Sequence, residues 1–384
     1  MKFKFIDLFA GIGGFHLALE KLGGECVFAS EIDKKAQDVY EDNFNLRPKG
    51  DITKIDEKDI PSHDVLCAGF PCQPFSHAGF QKGMNETRGT LFFDIMRIIK
   101  HHKPKYLILE NVQNLVKHDE GNTWKVISEN IKEAGYIIPN EPIIISPHNL
   151  GIPQHRKRVV ILAQRKDLQN IKEISFEELN KKEYGIEDIL QKDNEIKNLD
   201  KYIISEEQIK IVNIWNEFTK GIIGKLPGFP IWADEFNKDY DYSHLPEWKQ
   251  NFITKNRKLY EDNKEFIDSW LKKHNDLQDL RNSRRKFEWQ AGNSEKEIWN
   301  LIFQFRPSGL RVKLGNHFPA LVAITQTSIL GKRKRKLTPR ETARLQSFPE
   351  SFKIHPTDSV AYKQLGNAVN VEVIRFLADK ILKD

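Results

Sequence analysis

Cysteine is scarce: the 384-residue chain has three, Cys26, Cys67 and Cys72. They form no metal-ligand spacing with neighbouring histidines and no disulfide framework. No apolar run approaches the length that spans a bilayer. The N-terminal stretch Met1–Ala10 has too short an apolar run, and no small-residue cleavage site, for a signal peptide. A P-loop is missing too, because no Gly-Lys-Ser/Thr follows the N-terminal glycines. Internal repeats and low-complexity linkers are absent. What remains is a soluble globular chain whose thiols stay reduced, as in the cytosol. Its length exceeds one ordinary core, so one large and one smaller domain are expected. The formal net charge of +6 is compatible with a polyanionic partner without requiring one.

What is there begins with rhythm. Lys4–Phe9, Cys26–Ser30, Asp64–Gly69, Tyr106–Leu109 and Arg158–Ala163 read as buried strands. Amphipathic stretches at Phe15–Leu22, Leu91–Lys100 and Thr123–Ala134 lie between them, which predicts an α/β fold with a mostly parallel sheet. Ligands of such sheets bind at the C-terminal strand ends. After about Asp167 the chain turns rich in Lys, Glu, Asn and Asp, and residues 168–300 hold six of the seven tryptophans. Trp248, Phe252, Leu259, Phe266 and Trp270 recur at helical spacing, predicting one helix whose aromatic face packs on a core rather than serving as a base-stacking platform. Val371–Leu382 reads as a terminal amphipathic helix.

The first strand runs into Asp7-Leu-Phe-Ala-Gly-Ile-Gly-Gly-Phe15. Gly11, Gly13 and Gly14 permit a sharp turn and close backbone approach to a ligand, although a tight turn without a ligand uses the same residues. Glu31 ends the second strand about twenty residues on, where a carboxylate accepts from both hydroxyls of a ribose. Asp7 and Phe9 in the turn suit a cationic, phosphate-free cofactor better than a pyrophosphate. That favours S-adenosylmethionine over NAD.

The third strand ends in Gly69-Phe-Pro-Cys-Gln-Pro-Phe-Ser76, whose prolines stiffen the backbone around Cys72. A structural cysteine belongs inside a strand, as Cys67 does; Cys72 at the strand end reads as a nucleophile. Glu110-Asn-Val112 closes the next strand at the same sheet edge, and apolar neighbours there raise a carboxyl pKa as a general acid requires. The alternative for Glu110 is a plain helix N-terminal carboxylate. In Gln154-His-Arg-Lys-Arg158, Arg156 and Arg158 are placed to orient a carboxylate or bind a carbonyl oxygen or phosphate.

Together these motifs resemble, in order, those of bacterial DNA cytosine-5 methyltransferases, the methyltransferases of type II restriction-modification. Gly50-Asp-Ile-Thr53, Arg88-Gly-Thr-Leu-Phe-Phe-Asp94, Leu337-Thr-Pro-Arg-Glu-Thr-Ala-Arg-Leu-Gln346 and Gln364-Leu-Gly-Asn-Ala-Val-Asn370 continue the series. The resemblance covers residues 1–165 and 336–384. It implies a Rossmann-like S-adenosylmethionine-dependent methyltransferase fold plus a smaller target-recognition domain. Its catalytic domain would comprise 1–175 and 350–384, with recognition and hinge at 176–349. It further implies cofactor contacts from Phe9, Ala10, Gly11, Gly14, Glu31, Asp51, Ile52, Leu91, Asn367 and Ala368. Pro71, Cys72, Glu110, Arg156 and Arg158 match the positions that hold and activate the cytosine. His77–Arg88 resembles the loop that closes over the flipped base, with Ser76, Gln81 and Arg88 as DNA contacts.

Partners implied are double-stranded DNA and a restriction endonuclease sharing the recognition site. A monomer in the bacterial cytoplasm, associated with the nucleoid, is the expected state. In the recognition region Arg306, Arg311 and Lys313 read equally as DNA contacts or solvated charges. The run Lys332-Arg-Lys-Arg-Lys336 reads as a phosphate contact, through Lys332 and Arg333 above all. Where relatives carry Thr-Leu shortly before Leu-Thr-Pro-Arg-Glu, this chain has Ala320-Leu321, and that backbone contact stays unassigned. Two rivals are weighed. An RNA cytosine-5 methyltransferase of the tRNA-modifying branch would carry Pro-Pro-Cys-Gln and a further Cys-Phe-Thr, but here Phe70 precedes Pro71 and no cysteine follows Cys72. A catalytically inactive DNA-binding homologue would lack the Pro-Cys or Glu-Asn-Val that this chain keeps.

Overall fold

The computed structural model describes residues 2–71, 91–168, 185–321 and 327–382. Two compact units emerge, Met1–Ile189 with Ala320–Thr325 and Pro339–Asp384, and Leu190–Pro319 with Gln326–Thr338. The sequence expectation divides at 175 and 350, so the observed first boundary lies later and Pro339–Pro349 falls in the catalytic unit.

The larger unit is built on β1 (Phe3–Leu8), β2 (Gly24–Ser30), β3 (Val65–Gly69) and β4 (Tyr106–Val112), in the spatial order β2-β1-β3-β4 and all parallel. Beyond β4 the direction reverses. The short β5 (Tyr136–Ile137) and β6 (Ile143–Ile145) pair antiparallel with β7 (Arg158–Arg165), and β7 is antiparallel to β4. Alternation across the sheet separates two cores. Val65, Cys67 and Ile108 face one side with helices α1 (Gly14–Glu20), α2 (Lys34–Phe44) and the terminal α10 (Val371–Leu382). Leu66, Ala68, Leu107 and Leu109 face the other, with α3 (Leu91–His102) and α4 (Asn122–Glu133). Each fully buried aliphatic side chain contributes roughly 1.5–3 kcal/mol, so the continuous apolar runs of these strands follow from a sheet covered on both faces.

The smaller unit holds α5 (Glu206–Gly221), α6 (Glu247–Asp262) and α7 (Lys264–Lys273) beside a six-stranded sheet. Trp215 stacks on Phe287 at 4.8 Å between centroids, and Trp270 lies 5.5 Å from Trp215, so these aromatics form the core. The single aromatic-faced helix expected from Trp248 to Trp270 is instead two. Buried Asn263 breaks it, because its side chain accepts from Ile223 N at 2.9 Å and donates to Leu259 O at 3.1 Å. Leu259 and Trp270 are buried as expected, but Trp248 is 61% exposed.

Helices α8 (Pro339–Leu345) and α9 (Asp358–Asn367) return to the larger unit and lead into α10.

Candidate active site

The glycine turn after β1 takes left-handed backbone at Phe9, Gly11 and Gly13. Gly11 N donates to Glu31 Oε2 and Asp33 N to Glu31 Oε1, both at 2.8 Å, so the carboxylate at the end of β2 is aimed by two backbone donors. Each oxygen keeps a lone pair for a ligand hydroxyl. Gly14 is needed for a different reason. A Cβ there would stand 2.7 Å from Val369 Cγ2, so the turn and the C-terminal segment touch through a glycine.

The next wall is Asp51–Ile52. Asp51 Oδ1 accepts from Thr53 Oγ1 at 2.8 Å and Thr53 N at 3.1 Å, and these hydrogen bonds hold the carboxyl below its usual range. Arg97 of α3 ties this turn down, donating to Ile52 O at 2.6 Å, Glu57 Oε2 at 2.8 Å and Asp94 Oδ1 at 3.1 Å.

Phe9, Gly11, Glu31, Asp51, Ile52, Leu91 and Asn367 line one cleft of about 730 Å³, which also reaches Pro71, Glu110, Arg156 and Arg158. Ala10, Gly14 and Ala368 lie behind that surface rather than on it. Ala10 N bonds Ser30 O at 2.9 Å, and Ala368 O accepts from Arg156. Sequence reasoning missed Ile32, an apolar side chain 71% exposed on the cleft rim directly after Glu31. Its signal was an isoleucine following the acidic strand end. The volume suits a nucleoside-sized ligand, and two acceptor carboxylates with no phosphate cradle match the donors of S-adenosylmethionine. The residues present fit that group.

At the other end of the cleft, Cys72 lies outside the described residues, as do Ser76, Gln81, Arg88 and the His77–Arg88 segment. Glu110 lies inside β4 rather than at its end, paired with Gly69 and Val160. Burial is the main force on its carboxyl and raises its pKa; Arg158, with Nε 3.0 Å from Glu110 Oε1, opposes the rise, as does the charge of Arg156. Asn111, a second residue that sequence reasoning left without a role, is buried and donates Nδ2 to Phe70 O at 2.9 Å, fixing the backbone just before Pro71.

Arg156 is placed differently from its expected role on the nucleotide. Its Nη1 donates to Leu321 O at 2.9 Å, and its Nη2 to Gly366 O at 2.8 Å and Ala368 O at 3.1 Å. Burial pushes the guanidinium down to about 9. Both terminal nitrogens are therefore spent on main chain, Nη1 on Leu321 and Nη2 on the two carbonyls flanking Asn367.

The expected DNA contacts divide. Arg311 pairs through two nitrogens with Glu288, and Lys313 is half-buried, with its pKa lowered chiefly by burial. Arg306 is half-buried, and its carbonyl accepts from Arg284. The basic run is largely structural: Arg335 is fully buried against Asp193 at 2.9 Å, and Arg333 donates to Gln191 O at 3.0 Å. Lys334 lies 5.1 Å from the Trp299 ring, while Lys332 is exposed. Among the described residues no histidine, cysteine and carboxylate cluster is arranged to hold a metal ion.

The profile of C-5 cytosine-specific DNA methylases matches residues 3–383. The chain belongs to that family.

Relatives of this methylase include the type II methyltransferase M.AluI of Cellulosimicrobium cellulans, 36% identical over 98% of this chain and 91% of that protein. M.HhaI of Haemophilus parahaemolyticus is 35% identical over 98% and 94%. The fold also resembles that of the S. pombe Dnmt2 methyltransferase, with TM-score 0.55 and 19% identity over 99% of this chain and 98% of that one. The methylase is a DNA (cytosine-5-)-methyltransferase that uses S-adenosylmethionine, and no helix among the described residues is long and apolar enough to cross a membrane.

Proposed function

We propose that this methylase reads a specific duplex sequence with the unit Leu190–Pro319 and methylates a cytosine turned out of the helix. The observation that carries the chemistry is Glu110: a buried carboxyl with raised pKa, held by Arg158, in the cleft that Glu31 and Asp51 line. Extruding a base costs on the order of a few kcal/mol. Cys72 as thiolate adds to carbon 6 while Glu110 gives its proton to N3, so the carbon 5–carbon 6 π pair becomes available at carbon 5. Bound S-adenosylmethionine supplies the electrophilic methyl group that carbon 5 takes. Solvent water takes the carbon-5 proton as the Cys72 thiolate leaves carbon 6, and N3 returns its proton to Glu110. Pro71 stiffens the backbone before the nucleophile. Glu31 accepts from the ribose hydroxyls, Asp51 from the adenine amino group, and Leu91 and Ile32 cover the apolar faces. Arg156 acts as a positioning residue that sets Asn367 through the carbonyls on either side of it.

The relatives' type II names support a restriction endonuclease sharing the site as companion. We place the protein in the bacterial cytoplasm as a monomer on nucleoid DNA.

The test is expression in a host lacking cytosine methylation, followed by bisulfite mapping. One recurring methylated motif is expected; an unmethylated genome from soluble protein refutes the reading. Cys72→Ala is expected to abolish methylation and covalent trapping on 5-fluorocytosine DNA while cofactor binding persists.

A further inference from the structure

Alternation along three strands of the smaller unit gives its sheet two unlike faces. Phe287 and Trp289 on Lys286–Gln290, Leu310 and Val312 on Gly309–Lys313, and Phe303 on Ile302–Arg306 belong to the aromatic core. The opposite face of these strands carries Lys286, Arg306, Arg311 and Lys313 against one acid, Glu288. That excess suits a polyanion.

The strand register sets Glu288 directly beside Arg311. Glu288 Oε2 accepts from Arg311 Nε, and Oε1 accepts from Nη2 at 2.9 Å. One edge of the guanidinium is thereby closed. Among the described residues Nη1 makes no hydrogen bond, and it is not enclosed by protein, so the edge formed by Nη1 and the second Nη2 proton stays open. The two side chains keep 23% and 15% exposure. Neighbouring Arg285 differs: its nitrogens go to Leu280 O, Gln278 O and Asp234. Arg284 lies flat over Phe305, 4.7 Å from the ring centroid.

An ion pair this accessible to water contributes little to stability. Phosphate is also a poor partner for it, because Glu288 balances the charge that attracts phosphate. What the pair retains is direction. Two parallel N–H donors, fixed by a carboxylate on the adjacent strand, match the O6 and N7 acceptors of guanine in the major groove. We propose that Glu288 is a specificity-determining positioning residue, holding Arg311 so that its open edge reads one guanine of the target sequence. The assignment rests on the reading that the unit Leu190–Pro319 contacts the duplex.

The motif found by bisulfite mapping supplies the probe. A duplex carrying it, and copies with 7-deazaguanine replacing one guanine at a time, are titrated by fluorescence anisotropy with the full chain and S-adenosylhomocysteine. For wild type one replacement, which deletes N7, should weaken binding about fivefold or more. Glu288→Gln should lose that sensitivity and reduce the preference for the motif over a scrambled duplex by about 5- to 150-fold. Its affinity for the scrambled duplex should stay equal or rise, since an acid is removed. Arg311→Lys keeps the charge but not the fork, so it should lose the same preference; a phosphate contact would survive that change. Both variants should keep the wild-type circular dichroism spectrum and melt close to wild type. Wild-type selectivity in either variant, equal weakening on motif and scrambled duplexes, or loss of the fold overturns the proposal. A wild type that binds both duplexes alike refutes sequence reading itself rather than the Glu288–Arg311 assignment.

Discussion

Replacing Gly14 by alanine probes the contact between the cofactor turn and the C-terminal segment. The new Cβ would lie 2.7 Å from Val369 Cγ2, 3.1 Å from Val369 O and 3.6 Å from Val369 N. Gly14 is the first residue of α1 and has ordinary backbone, so alanine itself is not strained there and gains up to about 1 kcal/mol of helix propensity. The steric cost of inserting a methyl group into such a contact is about 1–3 kcal/mol. Fold stability should therefore fall by no more than about 2 kcal/mol. The strain falls on Asn367–Val369, and if it appears in binding, about 1–3 kcal/mol corresponds to roughly a 5- to 150-fold rise in the dissociation constant for S-adenosylhomocysteine. Calorimetric titration reads the affinity and thermal melts read the fold. Val369→Ala removes Cγ2 but leaves the carbonyl, so the double variant should recover part of the loss, measured as a coupling in a double-mutant cycle. Wild-type affinity in Gly14→Ala, or no recovery in the double variant, would refute a rigid contact between the two segments.

Asp7 lies fully buried, and burial, followed by the charge of Glu31, raises its pKa well above the usual value against the opposing pull of the His16 backbone N–H. The unfolded chain releases this proton near pH 4 while the folded chain retains it, so the group makes stability fall as pH rises from there towards the folded pKa. Asp7→Asn should thus match wild type in urea midpoint below pH 4 and exceed it increasingly above; a constant difference at all pH values would show that Asp7 does not titrate this way. Glu110→Gln cannot give up a proton to N3 and should lower kcat by about 10²–10⁴-fold with little change in cofactor affinity, checked by single-turnover methyl transfer. Arg335→Met removes one of the two arginines on half-exposed Asp193 and leaves Arg333 in place, and is expected to cost about 1–3 kcal/mol in denaturant unfolding. Lys332→Ala should leave stability alone and reduce the salt dependence of DNA binding by about 0.9 in logarithmic slope, as for one phosphate contact; an unchanged slope removes Lys332 from the interface.

The strand–turn–helix units were legible because their signals are local: an apolar run, a glycine turn, a carboxylate twenty residues on. Glu31 and Glu110 could be singled out for the same reason, whereas Asp51 was reached only through the family resemblance. What the sequence hides is where a polar side chain spends its hydrogen bonds. Arg156 and Arg158 look alike in Gln154–Arg158, yet one reaches three carbonyls on segments more than 160 residues away and the other pairs with Glu110. Arg335 sits in a run of five basic residues and is fully buried, because Asp193 lies some 140 residues upstream. Asn263 interrupts an apolar repeat that no local pattern breaks, since the N–H it receives belongs to Ile223. The reversed direction of β7 was likewise invisible, for its residues are as apolar as those of a parallel strand.

Helix α10 packs its Ile374, Leu377 and Ala378 into the same core as Phe5, Phe15 and Ala18 near the opposite end of the chain. At about 5–20 residues per second, the ribosome needs roughly 20–70 s to travel from one to the other. During that interval the face that α10 covers has only α1 and α2 to lie against, and the smaller unit, whose sheet includes Ile329–Leu330 and Arg335–Lys336, is made before α10. The order of synthesis thus makes the smaller unit available before the helix that completes the larger one.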